Sequence, residues 1–166
     1  MAETTFTGNP ADIHMGPAAV YYKGRCLGYT LNDSLKINVT VTPTPITPDQ
    51  ASLPVKDIIT EMEATVEVTL GEVNMENINM LPGVKDGVFG DPIGIDMKAL
   101  ADELIIIPMD ENDKKTYTLP KASPYLSDGI SFQKTTPQGL TLTFKAYVDD
   151  ATDGTGAYLT ISEAGA

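Results

Sequence analysis

Tryptophan is absent from the 166 residues, and histidine and cysteine occur once each, as His14 and Cys26. One cysteine excludes an internal disulfide, and this pair supplies too few soft ligands for a zinc site. A Ser-His-Asp or Cys-His site would depend on His14, which lies in a segment that we expect to be an N-terminal arm, a poor place to preorganise a base. We therefore predict no enzyme activity and no cofactor.

Cations are also scarce. The chain has 11 Lys and Arg against 23 Asp and Glu, so the formal net charge is −12 with the histidine neutral. Such an acid excess repels phosphates, so it argues against a protein that holds nucleic acid by neutralising its backbone. Any interaction with DNA would have to exploit repulsion.

Long hydrophobic runs are missing. The longest strongly apolar stretch, residues 104–107, is closed at once by Pro108, so we expect no membrane insertion by this chain. The first six residues show neither a basic leader nor a hydrophobic segment, which predicts a protein made and kept in a cytoplasm. Residues 149–154 resemble the start of a calcium loop, but Ala151 and Thr160 replace two ligands, so we expect an acidic turn there.

What the sequence does contain is alternation of apolar and polar residues with period two. In residues 62–70 the apolar side chains share one face and Glu63, Thr65, Glu67 and Thr69 share the other, which predicts a half-buried strand. Residues 35–42 alternate as strictly. We predict further strands at residues 18–22, 25–31, 104–109, 115–119, 130–134, 140–148 and 158–161.

Turn residues connect these strands. Lys23 and Gly24 form a two-residue connection of the tight hairpin kind, and residues 135–139 predict a second antiparallel hairpin. A short helix is expected at residues 75–81, with Asn74 as its cap, and residues 96–103 fit either a helix or a strand. The glycines between residues 83 and 94 read as a flexible loop. The fold class is mainly β: one domain, residues 1–166, an antiparallel β-sandwich or β-barrel with a short flanking helix.

Two segments look irregular. Residues 1–17 predict an extended N-terminal arm, and residues 43–60 predict a long loop between the two best strands, stiffened by prolines. Ordinary hairpin loops are far shorter, so a connection of this length usually has a function. The residues we single out in this loop are Pro43, Pro45, Ile46, Pro48, Leu53, Pro54 and Ile58.

Glu61, Glu63 and Glu67 share one face of a strand, at spacings of roughly 7 and 13 Å for a rise of about 3.3 Å per residue. This row is too open for a retaining pair of catalytic carboxylates, although it could bind cations. The solvated face of a half-buried sheet is the simplest interpretation. Like charges on one face repel each other, however, so a partner or an environment is expected to require them.

The order of these features resembles the tail tube (major tail) proteins of long-tailed bacteriophages and related phage-like particles. The resemblance covers most of the chain and rests on the early hairpin, the strand, long loop and acidic strand, the short helix, and two later segments: residues 18–30, 35–70, 75–81, 117–122 and 140–149.

This resemblance implies a β-sandwich or β-barrel that assembles into rings, commonly hexameric, which stack into a hollow tube for passage of the genome. It implies that residues 43–60 reach the neighbouring ring and that Glu61, Glu63 and Glu67 face an acidic lumen. The implied partners are copies of the same chain, the tail-tip, terminator and tape-measure proteins, and double-stranded DNA in transit. The implied location is the virion tail, assembled in the bacterial host cytoplasm.

Two other functions remain open at this stage. A β-sandwich binding or adhesin module would present a cluster of surface aromatics, whereas aromatic residues make up only 7% of this chain. An acidic hydrolase using the glutamate face would need a carboxyl group with a raised pKa.

Overall fold

A computed structural model describes residue 5, residues 7–148 and residues 156–163. The architecture is mainly antiparallel β, as predicted. The strands are β1 (Ala18–Tyr22), β2 (Arg25–Cys26), β3 (Lys36–Ile46), β4 (Lys56–Leu70), β5 (Val84–Lys85), β6 (Val88–Phe89), β7 (Asp102–Pro108), β8 (Lys115–Ser131), β9 (Gly139–Tyr147) and β10 (Thr160–Glu163). One short helix, α1 (Met75–Asn79), follows β4, and a 3-10 turn occupies Pro10–Asp12.

The main sheet has the strand order β2-β1-β7-β8-β9-β4-β3, with β10 also paired to β8. β8 is the longest strand: its first half pairs with β7 and β10, and its second half pairs with β9. β9 and β10 follow each other along the same side of β8. Since β2 and β3 form the two edges in the described part of the chain, the sheet is sandwich-like and is not a closed barrel.

The core lies where the two ends of this sheet fold over each other. Tyr22 on β1 donates its hydroxyl to the carbonyl of Ala122 at 3.0 Å, and its ring lies 5.3 Å from that of Phe144 on β9. The two strands are separated by β7 and β8 in the strand order, so the contact shows that the layers face each other. Val66 and Leu70 on β4 complete this cluster. The alternation predicted for residues 62–70 is confirmed from Ala64 to Leu70, whereas Met62 is exposed.

Helix α1 begins as predicted, with the side chain of Asn74 accepting the backbone N–H of Asn77 at 2.8 Å. The residue that anchors it was not predicted. Asn77 is fully buried, and its Nδ2 donates to the carbonyls of Leu27 and Glu72 at 3.2 and 2.7 Å. Met75, the first residue of the helix, is exposed. A buried amide with two backbone partners fixes this helix better than a short apolar stripe could.

In two tight turns the local sequence determines the backbone conformation. Lys23 and Gly24 both have positive φ, 54° and 76°, and close the predicted β1–β2 hairpin. Asp86 and Gly87 do the same at 49° and 77° and close the hairpin β5–β6, so the segment expected to be a flexible loop is partly strand. The helix considered for residues 96–103 is absent from the described chain, where turns lead into β7.

The N-terminal segment is exposed from residue 7 to residue 13 and ends against the turn between β7 and β8. Met109 donates its N–H to Pro17 at 3.0 Å, and His14 Nδ1 lies 3.4 Å from Asp110 Oδ2. The backbone N–H of Asn112 chiefly lowers the pKa of Asp110. The arm is therefore attached at its C-terminal end. Residues 1–4 and 6 of the predicted arm, and the acidic turn predicted at residues 149–154, lie outside the described residues.

Candidate assembly surface

The predicted loop at residues 43–60 is largely a β-hairpin, because strand β3 runs on to Ile46 and β4 begins again at Lys56. Only residues 47–55 connect them. Prolines are tolerated here because β3 is an edge strand. Only every second residue of β3 donates its N–H to β4, and Pro43 and Pro45, which lack an N–H, occupy positions that face away from β4. The prediction of a long loop at residues 43–60 is therefore wrong. Prolines usually interrupt a strand, and the sequence does not show that this strand lies at a sheet edge.

The pairing contains one irregularity. Thr42 pairs with Glu61 and Pro43 pairs with Ile59, so Thr60 is an extra residue on β4. Its hydroxyl lies 2.8 Å from that of Thr44, which holds the two strands together beyond the bulge. The hydrogen bond from the N–H of Val55 to the carbonyl of Ile46, at 2.9 Å, closes the connection. The hairpin is therefore paired over its whole length.

We call residues 40–62 the projecting end of this hairpin. Nearly every residue in it is exposed, and among the described elements β3 contacts β4 alone. Apolar side chains are included: Leu53 is 73% exposed and Ile59 is 65% exposed. The other large apolar residues exposed here are Val41, Ile46, Val55, Ile58 and Met62. Exposed apolar surface of this extent is typical of an interaction site.

The predicted loop residues are divided among three elements. Pro43, Pro45 and Ile46 lie on β3, and Ile58 lies on β4. The remaining three are in the connection between these strands: Pro48, Leu53 and Pro54. All seven thus lie on the projecting end.

Glu61, Glu63 and Glu67 are exposed on the face of β4 opposite the core, as the alternation predicts. The row is not uniformly acidic, however. Lys36 on β3 pairs directly with Glu67, and Lys145 on β9 pairs with Thr65, which lies between Glu63 and Glu67. Cross-strand and diagonal neighbours of opposite charge attract each other, so they offset the repulsion expected within the row.

A groove of about 370 Å³ lies beside this row. We call it the charged groove, and its polar lining consists of Glu61, Glu63, Lys98, Lys145, Tyr147 and Tyr158. The ammonium group of Lys145 lies 5.9 Å from the ring centre of Tyr147. Sequence reasoning found the two glutamates of this groove but not its lysines and tyrosines, which come from distant segments.

Two apolar grooves lie elsewhere on the surface. The first, of about 480 Å³, we call the aromatic cleft; its lining includes Leu81, Val84, Phe89, Ile95, Tyr125 and Leu126. The second, of about 450 Å³, we call the arm-side groove; its lining includes Ala18, Ala19, Cys26, Gly28, Tyr29 and Met109. Sequence reasoning missed both. One feature of the sequence could have indicated the aromatic cleft: Phe89 and Tyr125 are large aromatic residues in or beside segments rich in glycine and proline.

Both grooves lie at the far end of the sheet from the connection between β3 and β4. Leu126 pairs with Leu142, which pairs with Val68, and Thr30 beside the arm-side groove bridges Leu70. Lys56 begins β4 at the other end, roughly 40 Å away for a rise of about 3.3 Å per residue. Exposed apolar surface is therefore present at both ends of the same sheet.

Within the described residues, histidine, cysteine, aspartate and glutamate form no group of three or more that could hold a metal ion. No helix in that part of the chain is long and apolar enough to cross a membrane. Comparison of the sequence with protein-family models and with curated proteins gives no match.

Proposed function

We propose that this protein is a structural, non-enzymatic protomer that assembles into stacked rings and forms a tube, as the tail tube proteins that it resembles do. The observation that carries the proposal is the projecting end of the β3–β4 hairpin. Its exposed apolar side chains, among them Leu53 and Ile59, are held away from the core of their own chain. Covering this surface by a second copy would contribute roughly 25 cal/mol for each Å² of apolar area buried.

The position of the grooves is compatible with stacking. A projection at one end of a molecule and apolar grooves at the other can form a head-to-tail contact, and such a contact repeats in every copy and produces rings, filaments or tubes. The hexameric rings and the tail-tip, terminator and tape-measure partners belong to this proposal through the family resemblance alone, as does the location in a virion tail.

The charge supports a conduit for DNA. A duplex carries one negative charge for each 1.7 Å of its axis, so a protein with a net charge of −12 repels it and lets it slide. Glu61, Glu63 and Glu67 remain our candidates for the lumen-facing surface. Because Lys36 and Lys145 lie beside this row, its repulsion of DNA is weaker than that of three isolated carboxylates. The net charge of the whole chain is the stronger support.

Assembly of the purified protein tests the proposal. Light scattering and negative-stain electron microscopy of concentrated samples should show rings or tubes for the native chain. Ile59→Glu should abolish them, because it buries a charge in the contact. Ile161→Glu is the matched control: it introduces the same charge at an exposed isoleucine on β10, away from the hairpin.

Both variants should keep the native melting temperature, since neither side chain is buried in the single chain. A native protein that stays monomeric at high concentration, even after addition of tail-tip complexes as nucleators, contradicts the proposal. Equal loss of assembly in the two variants would show that the hairpin has no special role.

A second candidate, a binding module of a virion or cell surface, is favoured by one observation. Tyr147 and Tyr158 line the charged groove together with Lys98 and Lys145, and small-ligand sites combine aromatic side chains with placed polar groups. Binding of the monomer to a glycan array, and its loss in Tyr147→Ala, would favour this function over tube formation.

A further inference from the structure

The described residues of the chain do not cover the projecting end. β4 pairs with β9 only from Thr65 to Leu70, and beyond that point its partner is β3. Among the described elements, β3 contacts β4 alone. No surface in the described part of the chain covers the exposed side chains of the hairpin, so we look for the covering surface on a second copy.

The aromatic cleft has the composition of an acceptor. Phe89 is 55% exposed, and Tyr125 and Leu126 are also exposed, around a volume of about 480 Å³. Aromatic side chains in well-packed pockets are frequent among the few residues that dominate the binding energy of a protein interface. The arm-side groove also presents large exposed apolar side chains, Tyr29 and Met109, but it has one aromatic residue where the aromatic cleft has two.

The wall of the aromatic cleft that carries Phe89 is held in position before any partner arrives. The N–H of Gly87 donates to the side chain of Asn79 at the end of α1 at 2.8 Å. A side chain at Gly87 would meet the Met75 methyl group at 2.5 Å, so hairpin β5–β6 lies directly against the helix. A preformed cleft loses little conformational entropy on binding, which favours association.

We propose that the aromatic cleft of one copy receives the projecting end of the β3–β4 hairpin of the next copy, with Leu53 in contact with Phe89. This inference rests on the proposed self-assembly and names its acceptor. The two surfaces lie at opposite ends of the sheet. Each copy therefore inserts its hairpin into the neighbour on one side and receives the hairpin of the neighbour on the other side. The contact repeats without reversing direction, which gives the assembly a polarity.

Cross-linking between two singly substituted proteins tests the inference. In a Cys26→Ser background, one protein carries Leu53→Cys and the other carries Phe89→Cys, and a short bismaleimide is added to the mixed, assembled sample. Both positions are exposed in the single chain, so the substitutions should not disturb the fold. We expect a covalent dimer that contains one of each protein, because the two thiols come from different copies.

Leu53→Cys mixed with Tyr29→Cys is the control, since Tyr29 is also an exposed aromatic residue but lies in the arm-side groove. Cross-linking to Tyr29→Cys alone, or to neither position in a sample that contains tubes, overturns the inference but leaves the proposed function intact. A native chain that does not assemble, tested beside these proteins, overturns both.

A charge exchange gives a second readout. Leu53→Lys and Phe89→Asp should each raise the critical concentration for assembly at least tenfold, because each places an unpaired charge in the contact. The double variant should recover most of that loss, since the lysine of one copy then meets the aspartate of the next. Additive losses in the double variant would show that the two positions do not touch.

Discussion

The two halves of the β3–β4 hairpin have the same antiparallel pairing but opposite surroundings. In the half near the core, Ala64, Val66 and Leu70 are fully buried by the facing layer. In the projecting end, Val41 and Met62 continue the same apolar face and are exposed. Alternation of apolar and polar residues therefore shows which side chains share a face, but it does not show whether anything covers that face.

The halves also differ in what stabilises them. Burial of apolar area holds the half near the core, at about 1.5 to 3 kcal/mol for each large side chain. The projecting end has main-chain hydrogen bonds, the contact between the Thr44 and Thr60 hydroxyls, and prolines that restrict the unfolded chain. This division predicts that mutations in one half change the stability of the monomer, while mutations in the other change assembly.

The largest expected difference is between Leu70→Ala and Ile59→Ala, two truncations on one strand. Leu70 is fully buried, so its truncation should lower the free energy of unfolding by about 2 to 5 kcal/mol through lost burial and a cavity. Ile59 is exposed, so its truncation should change the free energy by less than about 0.5 kcal/mol. Urea denaturation of the monomeric proteins measures both.

Ile59→Ala should still weaken assembly in the same preparation, because its effect lies in the contact between copies. Equal losses of monomer stability in the two variants would mean that the projecting end is packed against its own chain. That result would remove the distinction between the halves.

A smaller loss of stability should appear at high pH, and it should come from the part of the molecule near the core. Burial, and next the charge of Asp102, raise the pKa of Tyr22 to about 12. An unfolded tyrosine ionises near pH 10, so the unfolded chain loses this proton first. The contribution of Tyr22 is fully present below about pH 10 and is lost as the pH rises toward about 12, at a cost of roughly 2 to 3 kcal/mol.

Thermal unfolding followed from about pH 9 to pH 12 tests this, with Tyr22→Phe as the comparison. The variant should be less stable at neutral pH by about 1 kcal/mol, because the carbonyl of Ala122 loses its donor, but it should show a weaker alkaline loss. Parallel curves for the two proteins would assign the alkaline loss to other groups.

The smallest expected effect compares two glutamates of one row. Glu67 pairs across the strands with Lys36, so Glu67→Gln should lower the free energy of unfolding by about 0.2 to 1 kcal/mol at low salt. Glu61 pairs with Thr42, which is uncharged, so Glu61→Gln should lower the free energy of unfolding by less than Glu67→Gln does. Chemical denaturation at low and high salt distinguishes them, since screening removes the first effect. A larger loss from Glu61→Gln would contradict the assigned pairing.

Most of the strands could be predicted because their signals are local. The β1–β2 turn needs two residues with positive φ, and Lys23 with Gly24 supplies them; the N-cap of α1 needs one side chain, Asn74. The extension of β3 through Pro43 and Pro45 could not be predicted in this way. A proline is compatible with a strand only at a sheet edge, and the identity of the edge strands depends on the whole strand order.

The candidate surface was predictable in part for the same reason. The three glutamates lie on the exposed face of β4 that the period predicted, whereas four of the seven loop residues lie in strands where the prolines had predicted a loop. The cations beside the glutamates were not predictable, because Lys145 approaches Thr65 only through pairing of β4 with β9, across a long separation in sequence. The aromatic cleft combines residues from the β5–β6 region and from β8 in the same way.

The sequence by itself determined the β class, the alternating faces, the tight turns, the acid excess and the scarcity of histidine and cysteine. Each depends on composition or on neighbours a few residues apart. The tertiary structure decided which apolar faces are covered, which strand is an edge, why Asn77 is buried, and where the apolar grooves lie relative to the hairpin. These depend on contacts between distant segments, since burial is a property of packed layers and not of a strand alone.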